Sequence, residues 1–222
     1  SSPAMGHADA IRVIERRAID HRAASRARWA TSTAVGDLEV WADRLRSTGR
    51  LTVNFHPDRI GRDGRSVVAG LLADGVYRSQ WVTGISTGSR SALHGGERHR
   101  FEREFFAGAY DDIDPASGEH PVYGAFDLLL DDHGGSPRFG SCFAVLRSHV
   151  RERTTMCVGD SHAAPQDVGT FDEPWSILAG LGEPRVVDQE LGTPGERGEG
   201  DAVLDMPLKC GDRLVGLDVG GK

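Results

Sequence analysis

Lysine is almost missing from the chain: Lys209 and Lys222 are the only two among 26 basic residues, so arginine carries nearly all the positive charge. GC-rich coding produces such a bias, and no mechanism is attached to it. Cysteine is scarce too. Cys142, Cys157 and Cys210 form no Cys-x-x-Cys pair, which argues against a structural zinc site and leaves Cys142 and Cys157 as small hydrophobes in apolar runs. No stretch approaches the roughly 18 apolar residues of a membrane-spanning helix, and the N-terminal residues lack the apolar core of a signal peptide. The expected location is therefore cytoplasmic, with delivery as a secreted effector the alternative. A net charge of −7 disfavours general nucleic-acid binding, which needs a basic face to displace counterions. Neither Gly-x-x-x-x-Gly-Lys-Ser/Thr nor Gly-x-Gly-x-x-Gly follows a strand, so any phosphate must be held by side chains.

What is present suits one compact domain: 222 residues, 38% of them apolar, punctuated by 29 glycines and 10 prolines that fall mostly between apolar runs. Charge is uneven. Residues 1–30 hold six arginines against three acids, whereas 160–222 hold five basic residues against thirteen acids. Residues 7–29 predict an amphipathic helix with Ile11, Ile14, Ala18 and Trp29 on one face, interrupted by His21 and Ser25. Asp37 is placed to cap a second helix through Arg46, with Leu38, Trp41 and Leu45 inward. Strict alternation predicts a strand over 51–56, which Pro57 stops.

Further on, the pattern predicts helices over 66–73, 95–110 and 175–181, the last capped by Asp172. Strands are predicted over 76–82, 122–130, 139–146, 153–158, 201–209 and 213–219, with a loop over 182–200. Helices first and then mostly strands make an α+β class. Residues 1–50 read as a helical segment packed on a core of residues 51–222.

The stretch from Gly75 to Ser89 stands out because it puts Arg78 on an expected buried strand and ends in a hydroxyl-rich turn. A buried arginine needs an anionic partner, either a protein carboxylate or a ligand phosphate. Arg138 is the other arginine beside a predicted strand. Histidines suggest a metal at His94 with His99, or His56 with Asp58, but no His-Glu-x-x-His or Cys/His cluster supports one. Gly159-Asp160-Ser161-His162 has only the composition of a Ser/His/Asp set, since sequence neighbours rarely form a triad.

Several words of the sequence resemble, in order, a largely bacterial family of unknown function that is grouped with the ADP-ribosyltransferase-like fold. They are Val53-Asn54-Phe55-His56-Pro57-Asp58-Arg59, Tyr77-Arg78-Ser79-Gln80-Trp81-Val82-Thr83-Gly84-Ile85-Ser86, Tyr123-Gly124-Ala125, Pro137-Arg138-Phe139-Gly140-Ser141-Cys142-Phe143 and Gly159-Asp160-Ser161. The resemblance covers residues 51–170 well. It implies a split, mostly antiparallel sheet and an enzyme that consumes NAD as substrate, breaking the nicotinamide glycosidic bond and moving ADP-ribose to an acceptor, expected to be a protein. Under it Arg78, Ser86 and Asp201 are the catalytic candidates, and His56, Arg78, Gln80, Ser141 and Arg138 the cofactor-binding ones. No metal and no membrane partner are expected.

One departure matters. The family's last strand carries Glu-Ala-Gln-x-His-Gly, where this chain has Asp201-Ala202-Val203-Leu204-Asp205-Met206. A carboxylate near the ribose stabilises the developing oxocarbenium ion, and Asp is one methylene shorter than Glu. A catalytically degenerate NAD- or protein-binding effector module is thus the second reading. Metal-dependent phosphoester hydrolysis by His56, Asp58, Asp160 and His162 is the third.

Overall fold

The structure, a computed structural model, describes residues 6–32, 36–85, 92–128, 130–159 and 165–182 in full, and the backbone of 205–209 and 214–218. Three helices, α1 (His7–Asp20), α2 (Arg22–Thr31) and α3 (Leu38–Ser47), precede strand β1 (Arg50–Phe55). Three more follow, α4 (Val67–Asp74), α5 (Gln80–Thr83) and α6 (Glu97–Phe105), and then β2 (Pro121–Asp127), β3 (Cys142–Leu146), β4 (Thr155–Cys157) and β5 (Val168–Thr170). Helix α7 (Trp175–Leu181) and strands β6 (Asp205–Lys209) and β7 (Leu214–Asp218) complete a mixed α+β fold. Its strands form two antiparallel sheets, one of order β6-β2-β1-β3-β7 and a two-stranded β4-β5.

The helix expected over residues 7–29 is two helices. The buried stripe Ala10, Ile14, Ala18 ends at His21, which closes α1 and opens α2, and only Ser25 of α2 is buried. With His21 and Ser25 at the next positions of the stripe, apolar packing does not hold the two segments in one line. Asp37 caps α3 as expected, accepting from the Glu39 N–H at 2.7 Å. The inner face of α3 is Leu38, Ala42 and Leu45, whereas Trp41 lies 38% exposed under Arg44. Because Asp37 stands away from the cleft described below, Asp37→Ala should cost about 1 kcal/mol and lower the thermal midpoint by roughly 2–4 °C. Calorimetry checks this; an unchanged midpoint refutes it.

Alternation along β1 sorts the molecule. Leu51 and Val53 enter a core with Leu45 of α3, Phe126 of β2, Met156 of β4 and Ile177 and Leu178 of α7. Phe55 joins Leu71, Cys142 and Ala144 in a smaller cluster, and α1 packs through Ile14 on a third with Phe101, Phe105 and Phe106. Burying such a side chain contributes about 1.5–3 kcal/mol each. On the other face of β1, Thr52 and Asn54 are buried beneath residues 131–140. Asn54 Nδ2 donates to the carbonyls of His133 (2.8 Å) and Gly140 (3.2 Å), and its Oδ1 accepts from the Ser136 N–H (3.1 Å). Thr52 Oγ1 accepts from the Gly135 N–H at 3.0 Å. Residues 131–140 are thereby strapped to the sheet.

Residues 76–82 are not the expected strand. Gly75 ends α4 in the left-handed conformation (φ 65°), Ser79 is extended, and Gln80–Thr83 is one helical turn closed by Gly84. Tertiary contact overrides the β preference of Val76, Tyr77 and Trp81, because Trp81 is buried with its indole N–H on Glu102. Helix α6 stops at Phe105, and the buried Phe106, Ala109 and Tyr110 belong to turns beyond it. Pro174, and not Asp172, occupies the N-cap of α7. Strand β5 has no counterpart among the predicted strands. The loop expected over 182–200 lies, past Gly182, outside the described residues, as do Ser86, Asp160, Ser161, His162 and residues 201–204 of the predicted last strands.

Candidate functional site

An open cleft of about 120 Å³ lies where β1, β2, the α4–α5 connection and the 131–140 segment meet. Asn54 of β1 and Pro121, Val122, Tyr123 and Gly124 of β2 line it, with Ser136 and Phe139 on one side and Arg65 through Ile85 contributing the other wall. Helix α6 adds Arg98. Its lining therefore combines three guanidinium groups, those of Arg65, Arg78 and Arg98, with the rings of Tyr77, Tyr123 and Phe139.

A carboxylate organises the cleft floor from behind. Glu102 is 1% exposed and accepts from Trp81 Nε1 (3.0 and 3.2 Å), from the Tyr123 hydroxyl (3.1 Å) and from His120 Nδ1 (3.1 Å). The Arg98 guanidinium, 4% exposed, lies 4.0 Å from the same carboxylate and 4.6 Å from the centre of the Tyr123 ring. His120 stacks on Trp81 with ring centres 4.4 Å apart, and its Nε2 faces the Ile113 carbonyl at 3.3 Å. Burial, and then the charge of Glu102, push the Tyr123 phenol well above its ordinary range, so it stays protonated and donates. One carboxylate thus fixes α5, α6 and β2 relative to one another.

The outer wall carries a second charge network. Arg65 grips Asp74 with both terminal nitrogens (3.1 and 3.0 Å) and Asp63 with Nε (2.8 Å). Arg78 reaches the same Asp74 at 2.9 and 3.0 Å. The hydrogen bonds from Arg65, followed by those from Arg78, hold the Asp74 carboxyl below the usual carboxylate range. Asp74 lies in this wall, four residues before Arg78.

Arg78 is therefore an exposed arginine on a link between helices, not one buried on a strand, and its protein partner is Asp74. It does line the cleft, as does Gln80. His56, Ser141 and Arg138 are not among the cleft-lining residues. His56 stands half-buried just past β1, Ser141 is exposed just before β3, and Arg138 lies in a 3₁₀ turn with its guanidinium 4.4 Å from the Phe139 ring centre. Ser86 and Asp201 lie outside the described residues. His94 and His99 do meet, ring centres 4.5 Å apart, yet among the described residues no group of three His, Cys, Asp or Glu side chains is placed to hold a metal ion. Nor, among those residues, is any helix long and apolar enough to cross a membrane.

Arg98, Glu102, His120 and Ser136 were not legible as site residues. A signal for two of them existed, since Arg98, Phe101, Glu102 and Phe105 recur at the spacing of one helical face, and that face is buried. Charged residues sharing a stripe with two phenylalanines must be buried with them. Compared with known proteins, residues 50–199 match a family described as a protein of unknown function, DUF3626. No curated protein matches the chain.

Proposed function

The chain belongs to the DUF3626 family, whose function is unknown, so we propose one from the cleft: NAD-dependent, ADP-ribosyltransferase-like cleavage of the nicotinamide glycosidic bond. The observation that carries the proposal is the joint lining of one cleft by Arg65, Arg78 and Arg98 and by Tyr77, Tyr123 and Phe139. Guanidinium groups suit a diphosphate, aromatic rings suit the flat ends of a dinucleotide, and NAD carries both. Arg78 at the exposed rim takes the diphosphate by exchanging it for Asp74. Gln80 follows it into the cleft, and Ser86 is proposed, on sequence resemblance alone, for the nicotinamide end. Asp201 is proposed, on sequence resemblance alone, as the acid that stabilises the oxocarbenium ion, in an ADP-ribosyltransferase-like split sheet. The acceptor is proposed to be a protein.

A non-catalytic NAD- or protein-binding module is the second reading, and the acids of this wall favour it, because Asp74 and Asp63 together already neutralise Arg65 and Arg78.

The test is incubation with labelled NAD, following nicotinamide release and label transfer beside Arg78→Ala and Asp201→Ala. Loss of about tenfold in kcat/KM for the first and about a hundredfold in kcat for the second are the expected results. Binding of NAD without turnover establishes the module instead. Turnover untouched by Asp201→Ala moves the acid elsewhere, to Glu190 or Glu199. Activity only on a phosphoester with added divalent metal replaces both readings with the hydrolase.

A further inference from the structure

Most polar groups of the cleft are committed within the protein. Arg65 and Arg78 share Asp74, Arg98 faces Glu102 and the Tyr123 ring, and Asn54 spends its amide on residues 133, 136 and 140. Two residues of the cleft lining, Gln80 and Ser136, differ in a buried polar atom. The Ser136 hydroxyl, in a residue 2% exposed, and the buried Gln80 Oε1 have no hydrogen-bond partner among the described residues. Buried hydroxyl and amide groups without partners cost folding free energy, and two of them in the walls of one cleft point to a ligand as their missing partner.

Both groups are held in place by their backbones. The Ser136 N–H donates to Asn54 Oδ1 at 3.1 Å, and its carbonyl accepts from the Phe139 N–H at 3.0 Å. Gln80 opens α5, where its carbonyl accepts from the Gly84 N–H at 2.8 Å, and the neighbouring Trp81 is anchored on Glu102. Their backbone positions are thus fixed before a ligand arrives, which limits the ordering cost of binding to the two side chains.

We propose that Gln80 and Ser136 form an amide-recognition subsite, taking an uncharged planar group that gives an N–H to the Gln80 carboxamide oxygen and takes a hydrogen bond from the Ser136 hydroxyl. A primary carboxamide on an aromatic ring and the amidine edge of a purine share this chemistry, and Tyr77, Tyr123 and Phe139 supply flat surface beside it. The subsite is neutral: each neighbouring guanidinium already faces a carboxylate, so hydrogen bonding and not charge selects the occupant. A carboxylate in place of the amide brings acceptor against acceptor at Gln80 Oε1 and removes the N–H. The inference shares the cleft with the NAD reading but does not depend on turnover.

Calorimetric titration of the whole chain tests it with nicotinamide against nicotinate and adenosine against purine riboside, which lacks the exocyclic amine. One amide-type probe is expected to bind at least about tenfold tighter than its counterpart, and the better of nicotinamide and adenosine identifies the source. Ser136→Ala and Gln80→Met should each weaken that probe about five- to tenfold. Ser136→Ala should do so with an undiminished thermal midpoint, since the hydroxyl it removes has no partner among the described residues, a combination that a merely structural serine would not give. Equal binding of nicotinamide and nicotinate together with equal binding of adenosine and purine riboside overturns the subsite. So does unchanged affinity in both variants, or no binding of either amide-type probe. If the probes discriminate but NAD is not turned over, the subsite stands and the transferase falls; if NAD turns over equally in both variants, the reverse holds.

Discussion

Replacing Glu102 by alanine is expected to destabilise the protein by about 3–5 kcal/mol, the scale seen when one partner is removed from a buried charged network. The carboxylate is 1% exposed, and its loss leaves Trp81 Nε1, the Tyr123 hydroxyl and His120 Nδ1 without their acceptor in a site that water does not reach. It also removes the carboxylate facing the Arg98 guanidinium, itself 4% exposed. Each orphaned donor forfeits about 1–3 kcal/mol of desolvation, and some of that is recovered as the cavity relaxes. Urea denaturation reads the result as a fall in midpoint at unchanged m-value. Glu102→Gln separates charge from geometry, because the amide keeps one acceptor oxygen; it should retain part of the stability but leave Arg98 without its facing negative charge. A loss below about 1 kcal/mol for Glu102→Ala would show that the hub is decorative. The functional consequence follows from position: Trp81 anchors α5, and α5 carries Gln80 into the cleft.

What the sequence made legible was local, and what it hid was tertiary. The alternation of β1 and the Asp37 cap could be read because each depends on residues a few positions apart. The run from Val76 to Val82 misled for the opposite reason. Its β-prone residues are real, but a contact between Trp81 and Glu102, 21 residues apart, turns the segment into α5. Arg78 followed the same error, since a strand would have buried it and a link between helices leaves it at the surface beside Asp74. Among the cleft residues, Arg78 was singled out on its expected strand and Gln80 through the family resemblance, whereas Ser136 was hidden in a turn whose packing on Thr52 and Asn54 no short-range pattern encodes. The α+β class needed only element order; the pairing of β1 between β2 and β3 rests on contacts such as Thr52 with Ala125 and Thr52 with Val145, far apart in the chain, which periodicity does not carry.

That turn supplies the second large effect: Gly140→Ala should cost about 3 kcal/mol or more. Gly140 has φ 155° and ψ 154°, a region that residues with a Cβ essentially do not occupy, and strain of that kind costs roughly 1–3 kcal/mol. Space is shorter still. A Cβ there would fall 2.0 Å from the carbonyl carbon of Phe55 and 2.5 Å from its Cα, so it meets backbone of β1 and no flexible side chain that could move aside. Either β1 shifts, breaking its pairing with Cys142 and Phe143, or the 137–140 turn lifts, breaking the Asn54 hydrogen bond to the Gly140 carbonyl. Both outcomes displace Ser136 and Phe139 from the cleft wall. Gly118→Ala is the control. It too has positive φ, at 77°, but nothing lies within 4 Å of its would-be Cβ, so only the left-handed penalty of about 1–2 kcal/mol applies. Denaturation of the two variants side by side isolates the steric contribution, and a Gly140→Ala protein no less stable than Gly118→Ala would mean that the turn is not seated against β1 as described.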